Sequence, residues 1–131
     1  MSVGTKSIPV MNSIKELGGN YAAWLVDIWG VMHNGARAFA PAVEATRTFR
    51  EQGGLVLLLS NSPRPSDSLR QQLRNFGVKD QSYDATVSSG DLTRRELEKR
   101  ADARVYHLGP KRDLPIFAGL NITRVEPGQA E

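Results

Sequence analysis

The run Leu55-Val56-Leu57-Leu58-Leu59 is followed at once by Ser60-Asn61-Ser62-Pro63, and this stretch decides the fold. An unbroken apolar run of this length predicts a strand that is buried on both faces, as in a parallel sheet covered by helices. In open α/β sheets, ligands bind beyond the carboxyl ends of the strands. The polar residues that follow Leu59 are therefore candidates for a functional site.

A second strand end carries matching chemistry. The apolar run Ala22-Ala23-Trp24-Leu25-Val26 ends in Asp27 and continues as Ile28-Trp29-Gly30-Val31. This pattern predicts a buried strand that delivers one carboxylate to the edge of the sheet. A single aspartate in this position more often caps the next turn, but here two strands end in polar side chains. If the two strands are parallel neighbours, Asp27 and Ser60 lie at the same edge.

Strands and helices alternate along the chain, which predicts βαβ units and a parallel sheet. We expect an α/β fold with a Rossmann-like parallel sheet flanked by helices, right-handed crossovers and a doubly wound order. Predicted helices cover residues 10–17, 40–52, 65–77 and 88–100, with a helical turn over 113–120. Predicted strands cover residues 23–28, 55–59, 85–87, 104–108 and 122–125, and residues 29–39 are predicted to be a loop.

The composition excludes several classes of protein. The 131 residues suffice for one domain with a sizeable core, and the net charge of +3 is too small and dispersed to favour nucleic acid or membrane partners. The absence of cysteine excludes disulfides and thiolate metal sites. No stretch approaches the roughly 18 apolar residues of a membrane span. A cytoplasmic protein is expected.

The residues at the two strand ends suit phosphoryl transfer. A carboxylate such as that of Asp27 can attack phosphorus and is also a hard ligand for Mg²⁺. The hydroxyl of Ser60 and the backbone amide of Asn61, near a helix start, can donate hydrogen bonds to phosphate oxygens. A magnesium ion would neutralise the repulsion between an anionic nucleophile and an anionic substrate.

Two stretches resemble motifs one and two of the haloacid dehalogenase (HAD) superfamily. These are Asp27-Ile28-Trp29-Gly30-Val31 with Gly35, and Leu58-Leu59-Ser60-Asn61. Two later stretches are similar to the NagD-like subgroup, subfamily IIA, of sugar and nucleotide phosphatases with a large type 2 cap inserted after motif two. They are Ser88-Ser89-Gly90-Asp91-Leu92-Thr93 and Tyr106-His107-Leu108-Gly109-Pro110. The resemblance extends from about residue 14 to the end of the chain.

The resemblance implies a role for each site residue. Asp27 would be the nucleophile that forms an aspartyl-phosphate intermediate. The Asp27 carboxylate and the backbone carbonyl of Trp29 would ligate Mg²⁺. Ser60 would bind the transferring phosphoryl group, and Asn61 would help to shape that pocket. The implied activity is magnesium-dependent hydrolysis of a small phosphorylated metabolite, with no nucleic acid or membrane partner.

The sequence departs from the family pattern in two ways. The second aspartate, which acts as general acid and base two positions after the nucleophile, is replaced by Trp29. The later lysine and acidic residues of the family have no counterpart in the expected context. We therefore expect residues 1–131 to be the N-terminal part of a HAD-like core, without the cap and the C-terminal half, and to be inactive alone. The half sheet would expose an edge and favour a homo-oligomer.

Two other functions stay open. A non-catalytic module that binds a phosphorylated ligand or acts as a scaffold is favoured by Trp29 and by the missing motifs. Dehalogenation of a small acid is the third hypothesis, and it is less consistent with the glycine-containing loop and the cap type.

For four further features the sequence favours a structural role over a functional one. His33 is expected to be a solvated loop residue, and His107 a core or strand-end residue. Arg64 follows the predicted phosphate loop, where a guanidinium can clamp an anion, although a structural role is favoured. Residues 89–91 are expected to cap a helix.

Overall fold

The centre of the fold is a three-stranded parallel sheet with strand order β1-β2-β3. A computed structural model describes residue 8 and residues 10–131. The strands are β1 (Ala23–Asp27), β2 (Leu55–Ser60) and β3 (Ala85–Ser88). Asp27 pairs with Leu59, and Ser60 pairs with Ser88, so the three strands end together at one edge. The α/β fold and the parallel sheet flanked by helices are confirmed.

Within the described residues, four α-helices accompany the sheet: α1 (Lys15–Gly18), α2 (Ala40–Glu51), α3 (Ser66–Asn75) and α4 (Ser89–Glu98). Pro41 lies in the first turn of α2, where its missing N–H costs no hydrogen bond. Gly53, at φ 89°, follows the end of α2 in a left-handed conformation that favours glycine. Helix α1 is a single turn, so the helix predicted over residues 10–17 was wrong in its first five positions. No helix in the described part of the chain is long and apolar enough to span a membrane.

The hydrophobic core lies on one face of the sheet. The fully buried Val56 and Leu58 of β2 pack in one cluster with Phe49 of α2 and with Leu69 and Leu73 of α3. Both crossover helices therefore cover the same face. Within the described residues the strand order never reverses, so the doubly wound order that we expected is not formed there.

The opposite face of the sheet is open. Leu25 of β1 and Leu55 of β2 are 68% and 59% exposed, and Leu57 and Leu59 are half-buried. The prediction that β2 is buried on both faces was wrong within the described residues. The apolar run indicates that burial is favourable for the side chains on both faces of β2, but it does not identify the element that covers each face.

The last third of the chain adds short elements outside the main sheet. Strands β4 (Arg104–Val105) and β5 (Thr123–Arg124) form a separate parallel pair. The longer strands predicted over residues 104–108 and 122–125 do not extend the main sheet. A 3₁₀ helix covers Lys111–Phe117, where a helical turn was predicted over residues 113–120, and shorter 3₁₀ turns cover Asp80–Ser82 and Pro127–Gln129.

Candidate functional site

Three polar residues lie where the parallel strands end. Asp27, Ser60 and Ser88 are the last residues of β1, β2 and β3, and together they line an open cleft of about 520 Å³. Asn61 and Ser89 complete its polar wall. The predicted neighbours Asp27, Ser60 and Asn61 are thus brought together. Ser88 and Ser89 also line this cleft. From the sequence, only a helix-capping role was predicted for residues 89–91, and no place in the cleft.

The carboxylate of Asp27 is accessible, and only one of its two oxygens accepts a hydrogen bond from the described residues. Asp27 lies on the open face of the sheet, since its pairing partner Leu59 is on the side opposite the buried Leu58. Its Oδ1 accepts a hydrogen bond of 2.8 Å from the backbone N–H of Ile28. Among the described residues no donor reaches Oδ2. One oxygen is therefore fixed by the turn, and the other faces the cleft side of the sheet edge.

The loop over residues 60–63 is held by its own hydroxyl groups and by helix α4. The backbone N–H of Ser62 donates to Ser60 Oγ at 3.1 Å, and the N–H of Arg64 donates to Ser62 Oγ at 3.2 Å. The N–H of Gly90 donates to the carbonyl of Ser62 at 3.1 Å. A Cβ at Gly90 would lie 2.3 Å from the carbonyl oxygen of Pro63. Only glycine permits this close approach of the helix to the loop.

Asp91 ties the first turns of α3 and α4 together. Its Oδ2 accepts from the backbone N–H of Ser88 at 3.0 Å, and Ser88 Oγ accepts from the N–H of Asp91 at 3.0 Å, which forms a capping box. Its Oδ1 accepts from the N–H of Ser66 at 2.9 Å, and the Ser66 hydroxyl also donates to Oδ2. Burial opposes ionisation of Asp91, but these hydrogen bonds outweigh it and lower its pKa. The capping role predicted for residues 89–91 is confirmed, with Ser88 as the N-cap.

Trp29 lies beside a second cleft that adjoins the first. Its side chain is 68% exposed, and its Nε1 is 3.5 Å from where a Cβ at Gly35 would lie. Trp29 lines a cleft of about 430 Å³ that shares Ser60 and Asn61 with the first cleft. The indole thus packs against the loop and also forms part of a cleft wall.

His33 is buried, so the prediction of a solvated loop residue was wrong. Its ring is 2% exposed and lies 4.7 Å from the ring of Phe76, between centroids. Its Nδ1 accepts a hydrogen bond of 2.9 Å from the N–H of Gly35, so the neutral ring carries its proton on Nε2. Burial lowers the pKa of His33 because it disfavours the charged imidazolium. His33 shapes the loop that follows Asp27.

The two remaining candidates differ in their surroundings. His107 is half-buried and makes an edge contact with Phe117 at 5.3 Å, in agreement with a strand-end packing role. Arg64 is half-buried and makes no salt bridge with the described residues. It lines the second cleft together with Arg112 and Asp113.

The donors at the sheet edge suit a magnesium ion in part. Asp27 supplies a carboxylate oxygen, and the carbonyl of Trp29 accepts no hydrogen bond from the described residues. No group of three or more His, Cys, Asp or Glu side chains suited to a metal occurs in the described part of the chain. Two oxygen donors are still compatible with Mg²⁺, which keeps several waters and is often held by one or two carboxylates and substrate phosphates.

The sheet edge and its loops are those of a known family. Residues 24–123 match the haloacid dehalogenase-like hydrolase family, and the chain belongs to it. A haloacid dehalogenase-like hydrolase from Brucella suis 1330 has the same fold, with a TM-score of 0.84 and 37% sequence identity over 93% of this chain and 46% of that chain. The family resemblance predicted from the sequence is confirmed.

Two further proteins are similar to parts of the chain. A structure described as a nagD protein shares the fold at a TM-score of 0.62, with 21% identity over 80% of this chain and 42% of that chain. The 5'-nucleotidase YutF of Bacillus subtilis (strain 168) is 27% identical over 90 residues, which are 68% of this chain and 35% of that protein. The chain therefore spans less than half the length of these proteins.

Proposed function

We propose that the whole protein hydrolyses a small phosphate monoester with the help of Mg²⁺, and that Asp27 is its nucleophile. The observation that carries this proposal is the meeting of Asp27, Ser60 and Asn61 in one open cleft at the carboxyl ends of parallel strands. The family and the name of the 5'-nucleotidase relative support phosphate ester hydrolysis. Residues 1–131 would contribute the N-terminal part of the core, and the rest of the protein would complete it. A cytoplasmic location and a small phosphorylated metabolite as partner belong to the same proposal.

The proposed first step is displacement at phosphorus. A carboxylate oxygen of Asp27 forms a bond to phosphorus, and the bond between phosphorus and the ester oxygen breaks, with its electron pair leaving on that oxygen. Ser60 and the backbone amide of Asn61 would hold the phosphoryl oxygens by hydrogen bonds. Water then attacks the phosphorus of the acyl phosphate, which releases phosphate and restores the Asp27 carboxylate.

The Mg²⁺ site would use the free oxygen of Asp27 and the backbone carbonyl of Trp29. When bound, the ion would supply positive charge that offsets repulsion between the carboxylate and the phosphate. Both protein donors belong to β1 and to the turn that directly follows it, so the chain positions them without a distant element.

The leaving oxygen needs a proton that Trp29 cannot supply. The indole N–H of Trp29 is a hydrogen-bond donor but no acid at neutral pH. Loss of a general acid costs about 10²- to 10⁴-fold in rate. We therefore propose that the substrate has a leaving group that tolerates departure as an anion, or that cleft water protonates it.

The test is the substitution Asp27→Asn in the protein at its full natural length. We expect turnover of 4-nitrophenyl phosphate with Mg²⁺ to fall by about 10³-fold or more, because an amide is a poor nucleophile and loses the metal charge partner. Asp67→Asn is the matched control, since that side chain is 90% exposed on α3 and lines neither cleft. Undiminished turnover by Asp27→Asn would contradict the assignment.

The second candidate function is binding of a phosphorylated ligand without turnover. Trp29 at the position of the general acid favours it, and so does the absence of a second carboxylate among the described residues that line the cleft of Asp27. Calorimetric titration with a phosphate ester, followed by an assay for released phosphate, separates the two functions. Saturable binding with no phosphate release by the full-length protein would favour the binding module.

A further inference from the structure

We propose that Arg64 and Arg112 form an anion subsite beside the phosphoryl pocket, and that the substrate carries a second anionic group there. The proposal rests on the proposed function, because it assumes that the phosphoryl group lies at Asp27 and Ser60. It adds the class of substrate: a short phosphate monoester that also bears a carboxylate or a second phosphate.

The first observation is that both arginines line the same two cavities. Arg64 and Arg112 line the cleft of about 430 Å³ that also contains Trp29, Ser60 and Asn61. They also line a smaller cavity of about 180 Å³ with Pro65 and Pro115. Two residues that bound two separate cavities are close neighbours, although 48 positions of sequence separate them.

The second observation is that the cleft of the two arginines shares part of its wall with the cleft of Asp27. Ser60 and Asn61 line both the cleft of Asp27 and the cleft of the two arginines. The hydrogen bond from the Arg64 N–H to Ser62 Oγ fixes the main chain of Arg64 to the same loop. A ligand whose phosphoryl group lies at Ser60 is therefore next to the cleft that Arg64 and Arg112 line.

The third observation is the balance of charge in the cleft. Its ionic side chains are Arg64, Arg112 and Asp113, and burial keeps the fourth titratable group, His33, neutral because it lowers the pKa of the imidazole. Asp113 is buried, and its Oδ1 lies 4.0 Å from Arg112 Nε, which is beyond hydrogen-bond distance. The Arg64 guanidinium has no salt-bridge partner among the described residues. Two cations against one anion leave the cleft positive, which suits one further negative group.

The experiment compares three two-carbon phosphate esters that differ only at the far end: ethyl phosphate, 2-phosphoglycolate and ethylene glycol bisphosphate. The chain contains two tryptophans, so Trp24→Phe leaves Trp29, which lines the subsite, as the one indole that reports binding. Asp27→Asn is added to this background so that turnover cannot disturb the titration. The carboxylate and the second phosphate test the two sources of negative charge separately.

We expect at least one of the two esters with a second anionic group to bind about tenfold more tightly than ethyl phosphate, which is the effect of one charge-assisted contact. Arg64→Gln and Arg112→Gln should each remove this gain and leave the affinity for ethyl phosphate unchanged. Arg95→Gln, an exposed arginine on α4 outside both cavities, should keep the gain. The gain should also shrink as salt is added, since Arg112 is 73% exposed.

Equal affinities for the three esters, or a gain that survives both arginine substitutions, would overturn the subsite. That result leaves the hydrolytic function intact if Asp27→Asn still abolishes turnover in the full-length protein. If the gain in affinity depends on the arginines but the full-length protein releases no phosphate, the hydrolytic function is contradicted and the subsite is supported. Failure of all three esters to bind contradicts both proposals.

Discussion

Asp27 and His33 are close in sequence, but their side chains have opposite environments. Asp27 is exposed at the sheet edge, whereas His33 is buried against Phe76 and binds the N–H of Gly35 through Nδ1. The hydrogen bond requires a neutral ring, because an imidazolium has no acceptor nitrogen. The shape of the loop after Asp27 therefore depends on the protonation state of His33.

The stability of the protein should fall as the pH drops below about 6.5, the usual pKa of an unfolded histidine. The pKa of folded His33 is lowered by burial, so the unfolded state binds the proton more readily in this range. The stabilisation is fully present above the unfolded pKa and is lost as the pH falls toward the folded pKa. Urea unfolding over this range measures the slope.

Two variants test whether His33 causes this pH dependence of stability. His33→Asn should flatten the slope, because an asparagine oxygen can accept from the N–H two positions later without titrating. His107→Gln should leave the contribution of His33 in place. A slope that survives His33→Asn and vanishes in His107→Gln would contradict the prediction.

At the level of single residues, the sequence predicted the site better than its surroundings. Asp27, Ser60 and Asn61 could be placed together because strand ends in a parallel sheet share an edge. The burial of His33 could not be predicted, because it depends on Phe76 from the end of α3. The neighbourhood of Arg64 and Arg112 depends in the same way on where the 3₁₀ segment Lys111–Phe117 packs.

Among the elements, helix α4 packs directly against the loop over residues 60–63. Its first turn contacts the loop through Gly90 and is joined to α3 through Asp91 and Ser66. The contact leaves no room for a side chain, since a Cβ at Gly90 would lie 2.3 Å from the Pro63 carbonyl oxygen. Any side chain at position 90 would therefore push the helix and the loop apart.

Gly90→Ala should lower the free energy of unfolding by about 1–3 kcal/mol, the usual cost of overpacking. A Cβ would force the loop and the helix apart and break the hydrogen bond from Gly90 to Ser62. Gly19→Ala is the matched control, because no atom lies within 4 Å of the added Cβ and the backbone φ is −72°. Chemical denaturation of both variants tests this, and an equal, small effect at the two sites would refute the close contact.

The elements with a clear hydrophobic period were predicted well. Helices α2, α3 and α4 and strands β1, β2 and β3 all lie within a few residues of their predicted positions. Besides the start of the helix predicted over residues 10–17, the errors concern residues 104–108 and 122–125, where short apolar stretches predicted further strands of the same sheet. A short apolar run does not specify its pairing partner, and here the two stretches pair with each other instead.

At the scale of the whole molecule, one face of the sheet has no cover among the described residues. Leu25 and Leu55 are more than half exposed, and both lie opposite the core. Strand β1 is also an edge strand, because it pairs with β2 alone. An apolar face beside an unpaired edge favours association with another chain or segment.

The 131-residue chain alone should therefore self-associate in a concentration-dependent way. Leu25→Lys should weaken the association, because it places a charge on the open face. Leu108→Lys, at a leucine that is 87% exposed outside the main sheet, is the control and should change nothing. Sedimentation velocity measures the association, and a wild-type chain that stays monomeric at all concentrations would contradict the prediction.

The link between Asp91 and Ser66 also has a consequence for synthesis on the ribosome. Asp91 follows Ser66 by 25 residues, and Gly90 is its immediate neighbour. When β2 and the residues after it have just left the exit tunnel, the first turn of α4, which contacts their loop, is still inside the ribosome. Domains acquire their structure as units during synthesis. The nascent chain thus exposes Asp27 before the loop over residues 60–63 has gained the helix that contacts it.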